Sequence, residues 1–225
     1  MSSPLGRLEV NTSPGRVHPH CVSGVVRRIG LLGGSFDPVH NAHVALACVA
    51  VDSLALDELR WVPAGQPWQK ARTITPSAHR LAMLALALRG EPRFVLDRCE
   101  IDRSGPSYTL DTVRELRQRE PATQCYLVVG QDQFANLPTW HGWRELLSLV
   151  TLAVAARPGS AMPTAPALQG LSYQVLPLAA MDVSATLIRE RRSHGQSIDT
   201  LVPPEVARYI EENALYLPDR APPGS

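Results

Sequence analysis

Residues 29–43 decide the fold and read Ile-Gly-Leu-Leu-Gly-Gly-Ser-Phe-Asp-Pro-Val-His-Asn-Ala-His. The apolar run at the start predicts a buried strand, which passes through the Gly33-Gly34 turn into a helix. Glycines in such a turn let the backbone approach a phosphate, and the N–H groups that open the helix attract anions. Ligands of open α/β sheets bind at this end of the strands. The stretch therefore predicts an anion site, although it lacks the G-x-G-x-x-G spacing of a dinucleotide-binding turn.

Two histidines, His40 and His43, lie three residues apart at the start of that helix. Side chains at this spacing share one helix face and lean toward the N-terminus, so both imidazoles can point at one bound anion. Zinc proteases instead need histidines four residues apart around a Glu. Taken singly, each histidine is more often a helix cap or a partly buried residue. Coupled to a glycine turn after a strand, the pair favours a ligand site.

Outward from this stretch, short apolar runs alternate with amphipathic segments at helical spacing, which is typical of a parallel sheet covered by helices. The predicted strands are residues 29–32, 58–62, 94–96, 124–129, 150–155 and 173–176. The predicted helices are residues 42–53, 76–89, 110–119, 143–149, 185–193 and 204–213. The fold class expected is α/β, with a Rossmann-like doubly wound parallel sheet, helices on both faces and a small C-terminal helical part.

The domain organisation expected is one domain at residues 27–217 between two flexible tails, residues 1–26 and 218–225, whose Pro, Ser and Gly content lacks periodicity. Residues 157–170 contain several prolines and glycines and predict a surface loop. The four cysteines include no C-x-x-C pair, which favours reduced thiols over a zinc ribbon or a disulfide framework.

The charge balance excludes a strongly polyanion-binding surface. Lys and Arg number 22 against 21 Asp and Glu, for a net charge of +1, so no nucleic-acid partner is expected. The longest mainly apolar stretch, residues 44–51, is far below the roughly 18 residues that span a bilayer. Since no secretory signal is readable either, we expect a cytoplasmic protein without a membrane partner.

A second constellation, residues 183–189, reads Val-Ser-Ala-Thr-Leu-Ile-Arg. Ser184 is a natural N-cap for the helix that follows, and Arg189 in the second turn can reach back toward that cap. A hydroxyl, exposed N–H groups and a guanidinium then converge where a triphosphate could lie. Taken alone, the stretch favours an ordinary capped helix over a ligand site.

Residues 33–43 resemble the G-G-T-F-D-P-I-H-x-G-H signature of the nucleotidylyltransferase superfamily and, more narrowly, are similar to bacterial nicotinate-nucleotide adenylyltransferases. Ala42 stands where the family usually has Gly, next to the position where adenosine packs. Residues 184–189 resemble the family's second ATP motif, S-x-T-x-I-R. The resemblance implies ATP binding by Gly33, Gly34, Ser35, Phe36, His40, His43, Ser184, Thr186 and Arg189.

Three further segments resemble the same family. Residues 63–70 match a loop that carries a basic residue toward the ATP phosphates, with Lys70 as the candidate, although a solvated loop lysine is the plain alternative. Residues 103–112 resemble R-x-G-x-S-Y-T-x-D-T, where backbone around Tyr108 and Thr109 recognises the pyridine carboxylate. A turn followed by a capped helix is the alternative there, and both descriptions can hold.

The third segment, residues 128–143, resembles the V-G-x-D and P-x-W elements of that family. It implies that Asp132 hydrogen-bonds a ribose and that Trp140 offers a flat face to the pyridine, while Trp143 belongs to the core. Arg157 matches an R-x-G element and either helps to form the nucleotide site or closes a turn.

The activity implied by the resemblance is transfer of AMP from ATP to nicotinate mononucleotide, with Mg²⁺ accompanying ATP and no metal ligand from the protein. The catalytic residues implied are His40, His43, Lys70 and Arg189, whereas Asp37 is assigned to the turn before Pro38. The alternatives are another acceptor, such as nicotinamide mononucleotide or phosphopantetheine, and a non-catalytic nucleotide-binding regulator. A homo-oligomer is left open.

Overall fold

The structure is a computed structural model that describes residues 26–66, 74–156, 162 and 165–218. The two predicted tails, apart from Val26 and Pro218, lie outside these residues. Part of the predicted surface loop at residues 157–170 also lies outside them, and its described part contains a short 3-10 turn, Pro166–Leu168.

The described chain forms a six-stranded parallel sheet flanked by helices. The strands are β1 (Arg28–Gly34), β2 (Glu58–Pro63), β3 (Phe94–Leu96), β4 (Gln124–Gly130), β5 (Thr151–Ala156) and β6 (Gln174–Pro177). The helices are α1 (Asn41–Ser53), α2 (Ser77–Ala87), α3 (Cys99–Asp102), α4 (Thr109–Arg119), α5 (Gln131–Asn136), α6 (Trp143–Leu149), α7 (Ala185–Ser193) and α8 (Pro204–Glu212). The predicted α/β class is confirmed.

The strands are continuous apolar runs because both faces of the sheet are covered. In β1, Ile29 and Leu31 join the core cluster under α4 and α6, and Leu32 joins the opposite cluster under α1, α2 and α8. Burial of each such side chain contributes about 1.5–3 kcal/mol. Only glycine fits at position 30 without rearrangement, because a Cβ there would lie 2.5 Å from Cδ1 of Leu56, which belongs to the same cluster as Leu32.

The strand order is β3-β2-β1-β4-β5-β6, so the chain runs outward from β1 and then returns to the other side of β1. This reversal leaves the carboxyl ends of β1 and β4 side by side with no helix between them, which is where doubly wound sheets bind ligands. Gly33 and Gly34, predicted to form a turn, are instead the last two residues of β1, where they pair with Val62 and Pro63, and Gly130 is the last residue of β4.

The sequence predictions missed two short helices. α3 has four residues and α5 has six, too few turns for an apolar periodicity to show, and each buries a single side chain, Glu100 in α3 and Phe134 in α5. The predicted helix at residues 76–89 is shorter, Ser77–Ala87, because the chain turns at Gly90, where φ is +91°. Among the described residues, no helix is long and apolar enough to cross a membrane.

Candidate active site

A cleft of about 590 Å³ opens at the carboxyl ends of β1 and β4. This size lies within the range of small-molecule sites. One wall comes from the β1–α1 turn and the start of α7, and the other comes from the start of α4 and from α5. The predicted site residues that border it are Gly33, Gly34, Ser35, Phe36, His40, His43, Tyr108, Thr109, Asp132, Trp140 and Ser184.

The turn after β1 is shaped by Phe36, whose φ is +46°. A Cβ on Gly34 would lie 3.0 Å from Cζ of Phe36, so the ring packs on the bare face of the glycine. The same ring lies 5.5 Å from that of Trp61 and meets His43 edge-on at 5.1 Å. Phe36 is 1% exposed. Its side chain therefore supports His43 from within the core.

The two imidazoles stack, with ring centroids 3.6 Å apart and an interplanar angle of 22°. His40 is the N-cap residue of α1, and its backbone N–H donates to Nδ1 of His43 at 3.2 Å. Because a backbone N–H can only donate, Nδ1 of a neutral His43 is the acceptor, and the ring proton lies on Nε2. The fold thus fixes the tautomer of His43.

His40 is buried, and burial lowers its pKa to about 4. Its imidazole is therefore neutral at pH 7. Nδ1 of His40 has no hydrogen-bond partner among the described residues. In the tautomer that carries its proton on Nδ1, this buried nitrogen would donate to an oxygen of a ligand and so remove the cost of an unsatisfied buried polar atom.

The depressed pKa predicts an acid-dependent loss of stability. As pH falls below 6.5, the ordinary value, the unfolded chain protonates His40 before the folded protein does. The free energy of unfolding should fall by about 3 kcal/mol between pH 6.5 and pH 4, on top of other titrations. Urea unfolding of the wild type and of His40→Asn at several pH values measures the difference. A constant difference between the two proteins across this range would contradict the prediction.

The second motif opens α7, where Oγ of Ser184 accepts a hydrogen bond from the backbone N–H of Leu187 at 3.1 Å. Arg189 donates through Nη2 to Oγ1 of Thr186 at 3.1 Å and through Nη1 to the backbone carbonyl of Asp37 at 2.8 Å. Asp37 and Ser184 border the cleft, whereas Thr186 and Arg189, also predicted to bind ATP, do not line its described part and are linked to it by the Arg189–Asp37 contact. The two motifs, 152 residues apart, therefore meet at one cleft.

On the opposite wall, Tyr108 is the N-cap residue of α4, and Thr109 is the first residue of this helix. The Tyr108 ring stacks on that of His141 with centroids 4.4 Å apart. Trp140 is half-buried, and its Nε1 has no hydrogen-bond partner among the described residues. Asp132 is exposed in the first turn of α5. A helix N-terminus, flat rings and a carboxylate thus face the same space.

Two predicted site residues, Lys70 and Arg157, lie outside the described residues. Trp143, predicted to belong to the core, packs half-buried against the cluster under α4 and α6.

Sequence reasoning missed a buried polar cluster beneath the cleft. Oγ1 of Thr112 donates to Oε1 of Glu100 at 2.8 Å, and burial raises the pKa of Glu100. Oγ of Ser107 accepts the backbone N–H groups of Gly65 at 2.9 Å and Gln66 at 3.2 Å. These contacts join the loop after β2 to the start of α4. Glu100 and Thr112 lie in or beside the recognised segment at 103–112, but their spacing carries no signal of mutual contact.

The donor set at the cleft is poor in metal ligands. No group of three or more His, Cys, Asp or Glu side chains in the described part of the chain is arranged to hold a metal ion. The groups present suit anions better, because imidazoles and helix N-termini line the space, and the Arg189 guanidinium contacts Asp37 at its border.

Comparison with known proteins shows which family the sequence matches. Residues 31–191 match the cytidylyltransferase-like family. A protein of Methylibium petroleiphilum named "Probable nicotinate-nucleotide adenylyltransferase" is 50% identical over 200 residues, which cover 86% of this chain and 94% of that protein. A protein of Dehalococcoides mccartyi with the same name is 42% identical over 197 residues, which cover 84% of this chain and 97% of that protein.

Among solved structures, Plasmodium falciparum nicotinic acid mononucleotide adenylyltransferase complexed with NaAD superposes with a TM-score of 0.72. The sequences are 19% identical, and the match covers 84% of this chain and 97% of that chain. At this identity the likeness concerns the fold, and it agrees with the parallel sheet and its switch point.

Proposed function

The chain belongs to the nicotinate-nucleotide adenylyltransferases, and we propose that it transfers AMP from ATP to nicotinate mononucleotide, releasing pyrophosphate, in the cytoplasm. The observation that carries the proposal is the hydrogen bond between Arg189 and Asp37, which joins both ATP-type motifs at one cleft. A nucleotide bound there would touch the histidine pair and the start of α7 together.

The reaction needs no covalent intermediate. An oxygen of the acceptor's phosphate attacks the α-phosphorus of ATP and forms the new P–O bond. The bond from the α-phosphorus to the bridging oxygen breaks in line, and pyrophosphate leaves with the electron pair. The protein then has two tasks, alignment of the two substrates and stabilisation of charge on the phosphate oxygens.

The wall formed by the β1–α1 turn and the start of α7 supplies the charge stabilisation. Nδ1 of His43 accepts the backbone N–H of His40, which leaves the ring proton on Nε2. We assign this Nε2–H as a donor to a phosphate oxygen in the transition state. His40, neutral at pH 7, offers a second ring nitrogen to the same oxygens. The N-termini of α1 and α7 add partial positive charge. Lys70 is proposed as a further cation.

We assign Mg²⁺ to the phosphate oxygens of ATP, because the described residues at the cleft offer it no ligand cluster. When bound there, the ion would neutralise negative charge on the polyphosphate.

The opposite wall is proposed to hold the acceptor. Backbone N–H groups at the start of α4, at Tyr108 and Thr109, suit a pyridine carboxylate. The half-buried Trp140 offers its face to the ring, and the exposed Asp132 accepts hydrogen bonds from a ribose. Arg157 is proposed as an additional contact to the nucleotides.

An acceptor panel tests the activity. With Mg-ATP, we expect pyrophosphate release with nicotinate mononucleotide to exceed that with nicotinamide mononucleotide by at least about tenfold in kcat/KM, since only the acid adds charge-assisted hydrogen bonds at α4. Phosphopantetheine should give no release. Turnover restricted to either alternative acceptor would reassign the substrate, and ATP binding without turnover would support a regulator.

A further inference from the structure

Asp37 is a buried carboxylate in the nucleotide-binding turn, at 0% exposure, and a buried charge needs partners. Oδ1 accepts a hydrogen bond from the hydroxyl of Tyr216 at 2.8 Å, and Oδ2 accepts the backbone N–H of Thr75 at 3.3 Å. Tyr216 lies just beyond α8, 179 residues away from Asp37 in the sequence. The carboxylate thus ties the turn after β1 to the C-terminal segment of the domain.

The buried Arg80 holds the same region from α2. Its Nη1 donates to the carbonyl of Ser35 at 2.9 Å, and its Nε donates to the carbonyl of Thr75 at 3.0 Å. Arg80 is 1% exposed, and burial lowers the pKa of its guanidinium, an effect that the nearby charge of Asp37 opposes. The turn is therefore held by the hydrogen bonds of Arg80 on one side and by that of Tyr216 on the other.

The far end of the turn is also held by the C-terminal segment. The backbone N–H of Asn41 donates to the carbonyl of Leu201 at 3.0 Å, and Nδ2 of Asn41 donates to the carbonyl of Thr200 at 3.0 Å. Asn41 follows His40 directly. Asp37, which precedes His40, and Asn41, which follows it, are thus both held by hydrogen bonds to residues that follow α7.

The backbone carbonyl of Asp37 is the acceptor for Nη1 of Arg189. Tyr216 and Arg189 therefore contact the same buried residue, one at its carboxylate and the other at its backbone carbonyl. We propose that Tyr216 is a positioning residue of the ATP site, whose hydroxyl holds Asp37 so that the Asp37 carbonyl orients Arg189 toward the triphosphate. The inference rests on the proposed function in one respect only, that the cleft binds ATP.

The chemistry of the hydroxyl agrees with a permanent donor. Burial, and then the charge of Asp37, raise the pKa of Tyr216 far above its ordinary value, so its proton stays on the oxygen throughout the physiological range. The geometry of the contact is accordingly insensitive to pH.

Tyr209 provides a matched control. Its hydroxyl contacts Nδ1 of His79 at 3.0 Å, another hydrogen bond between the C-terminal segment and the rest of the domain. Neither Tyr209 nor His79 borders the cleft in its described part. Tyr216→Phe and Tyr209→Phe each remove one hydroxyl from a comparable contact, but only the first leads to Arg189.

Calorimetric titration with Mg-ATP, without acceptor, measures the effect apart from the identity of the acceptor. We expect Tyr216→Phe to raise the Kd for ATP about tenfold, because a misplaced Arg189 would lose about one charge-assisted hydrogen bond to the triphosphate, while Tyr209→Phe changes it less than about twofold. Thermal midpoints should fall in both variants, and further in Tyr216→Phe, which leaves a buried carboxylate without one of its donors. Should Tyr216→Phe not fold, Thr75→Val, which removes the second hydroxyl contact of Tyr216, should still raise the Kd two- to threefold.

Equal Kd values for Tyr216→Phe and Tyr209→Phe would overturn the inference, as would an unchanged Kd for Thr75→Val. If the wild type binds ATP but does not turn over nicotinate mononucleotide, the proposed function fails while this test remains valid.

Discussion

Replacement of His43 by Ala should lower kcat by about 10²- to 10³-fold, the loss typical of one preorganised donor to developing charge. The hydrogen bond from the His40 backbone to Nδ1 commits the ring to the tautomer that carries its proton on Nε2. Stacking on His40 and edge contact with Phe36 hold the ring in place before substrate binds. Such a donor needs no reorganisation during the reaction, so its removal should affect the transition state more than ground-state binding.

Steady-state kinetics with Mg-ATP and nicotinate mononucleotide measure this loss, with circular dichroism to show that the variant is folded. His79→Ala is the matched control, because His79 is a half-buried histidine whose ring contacts Tyr209 instead of the cleft. It should retain turnover within about twofold. A folded His43→Ala enzyme with near-normal kcat would remove His43 from the mechanism.

The fold could be predicted from the sequence because parallel strands buried on both faces appear as apolar runs between turns. The strand predicted at residues 58–62 is observed as Glu58–Pro63, and the strand predicted at 94–96 is observed as Phe94–Leu96. Short elements could not be predicted in this way. α5 follows β4 immediately and has one buried residue, Phe134, so neither periodicity nor a linker marked its start.

The site could be predicted only where its signal is local. The glycine pair, the histidine pair and the Ser184 cap each lie within one short segment, and the structure brings these segments to one cleft, although the glycines end β1 instead of forming the predicted turn. The contact between Asp37 and Tyr216 joins residues 179 positions apart, and no spacing rule connects them. Phe36 shows a second limit, because its position in the motif does not reveal that its ring packs inward against Trp61.

Replacement of Arg189 by Ala should lower kcat/KM for ATP by about 10²- to 10³-fold. The loss combines the charge proposed to face the triphosphate with the contact that joins α7 to the first motif. Arg189→Lys should recover little of it. An arginine presents a rigid fork, and here separate nitrogens bond Asp37 and Thr186, whereas a lysine has a single nitrogen on a flexible stem.

Arg191→Ala is the control for this prediction, because Arg191 lies in the last turn of the same helix, and none of its described side-chain contacts reaches the first motif as that of Arg189 does. Kinetics at varied ATP should show Arg191→Ala within about twofold of the wild type. The KM for the acceptor should change little in Arg189→Ala, since the start of α4 forms the other wall. If Lys restored full activity, a point charge alone would suffice, and the forked contact with Asp37 and Thr186 would have no part in ATP binding. If Arg189→Ala and Arg191→Ala lost activity equally, the effect would belong to the helix as a whole, and the second motif would no longer place a cation at the triphosphate.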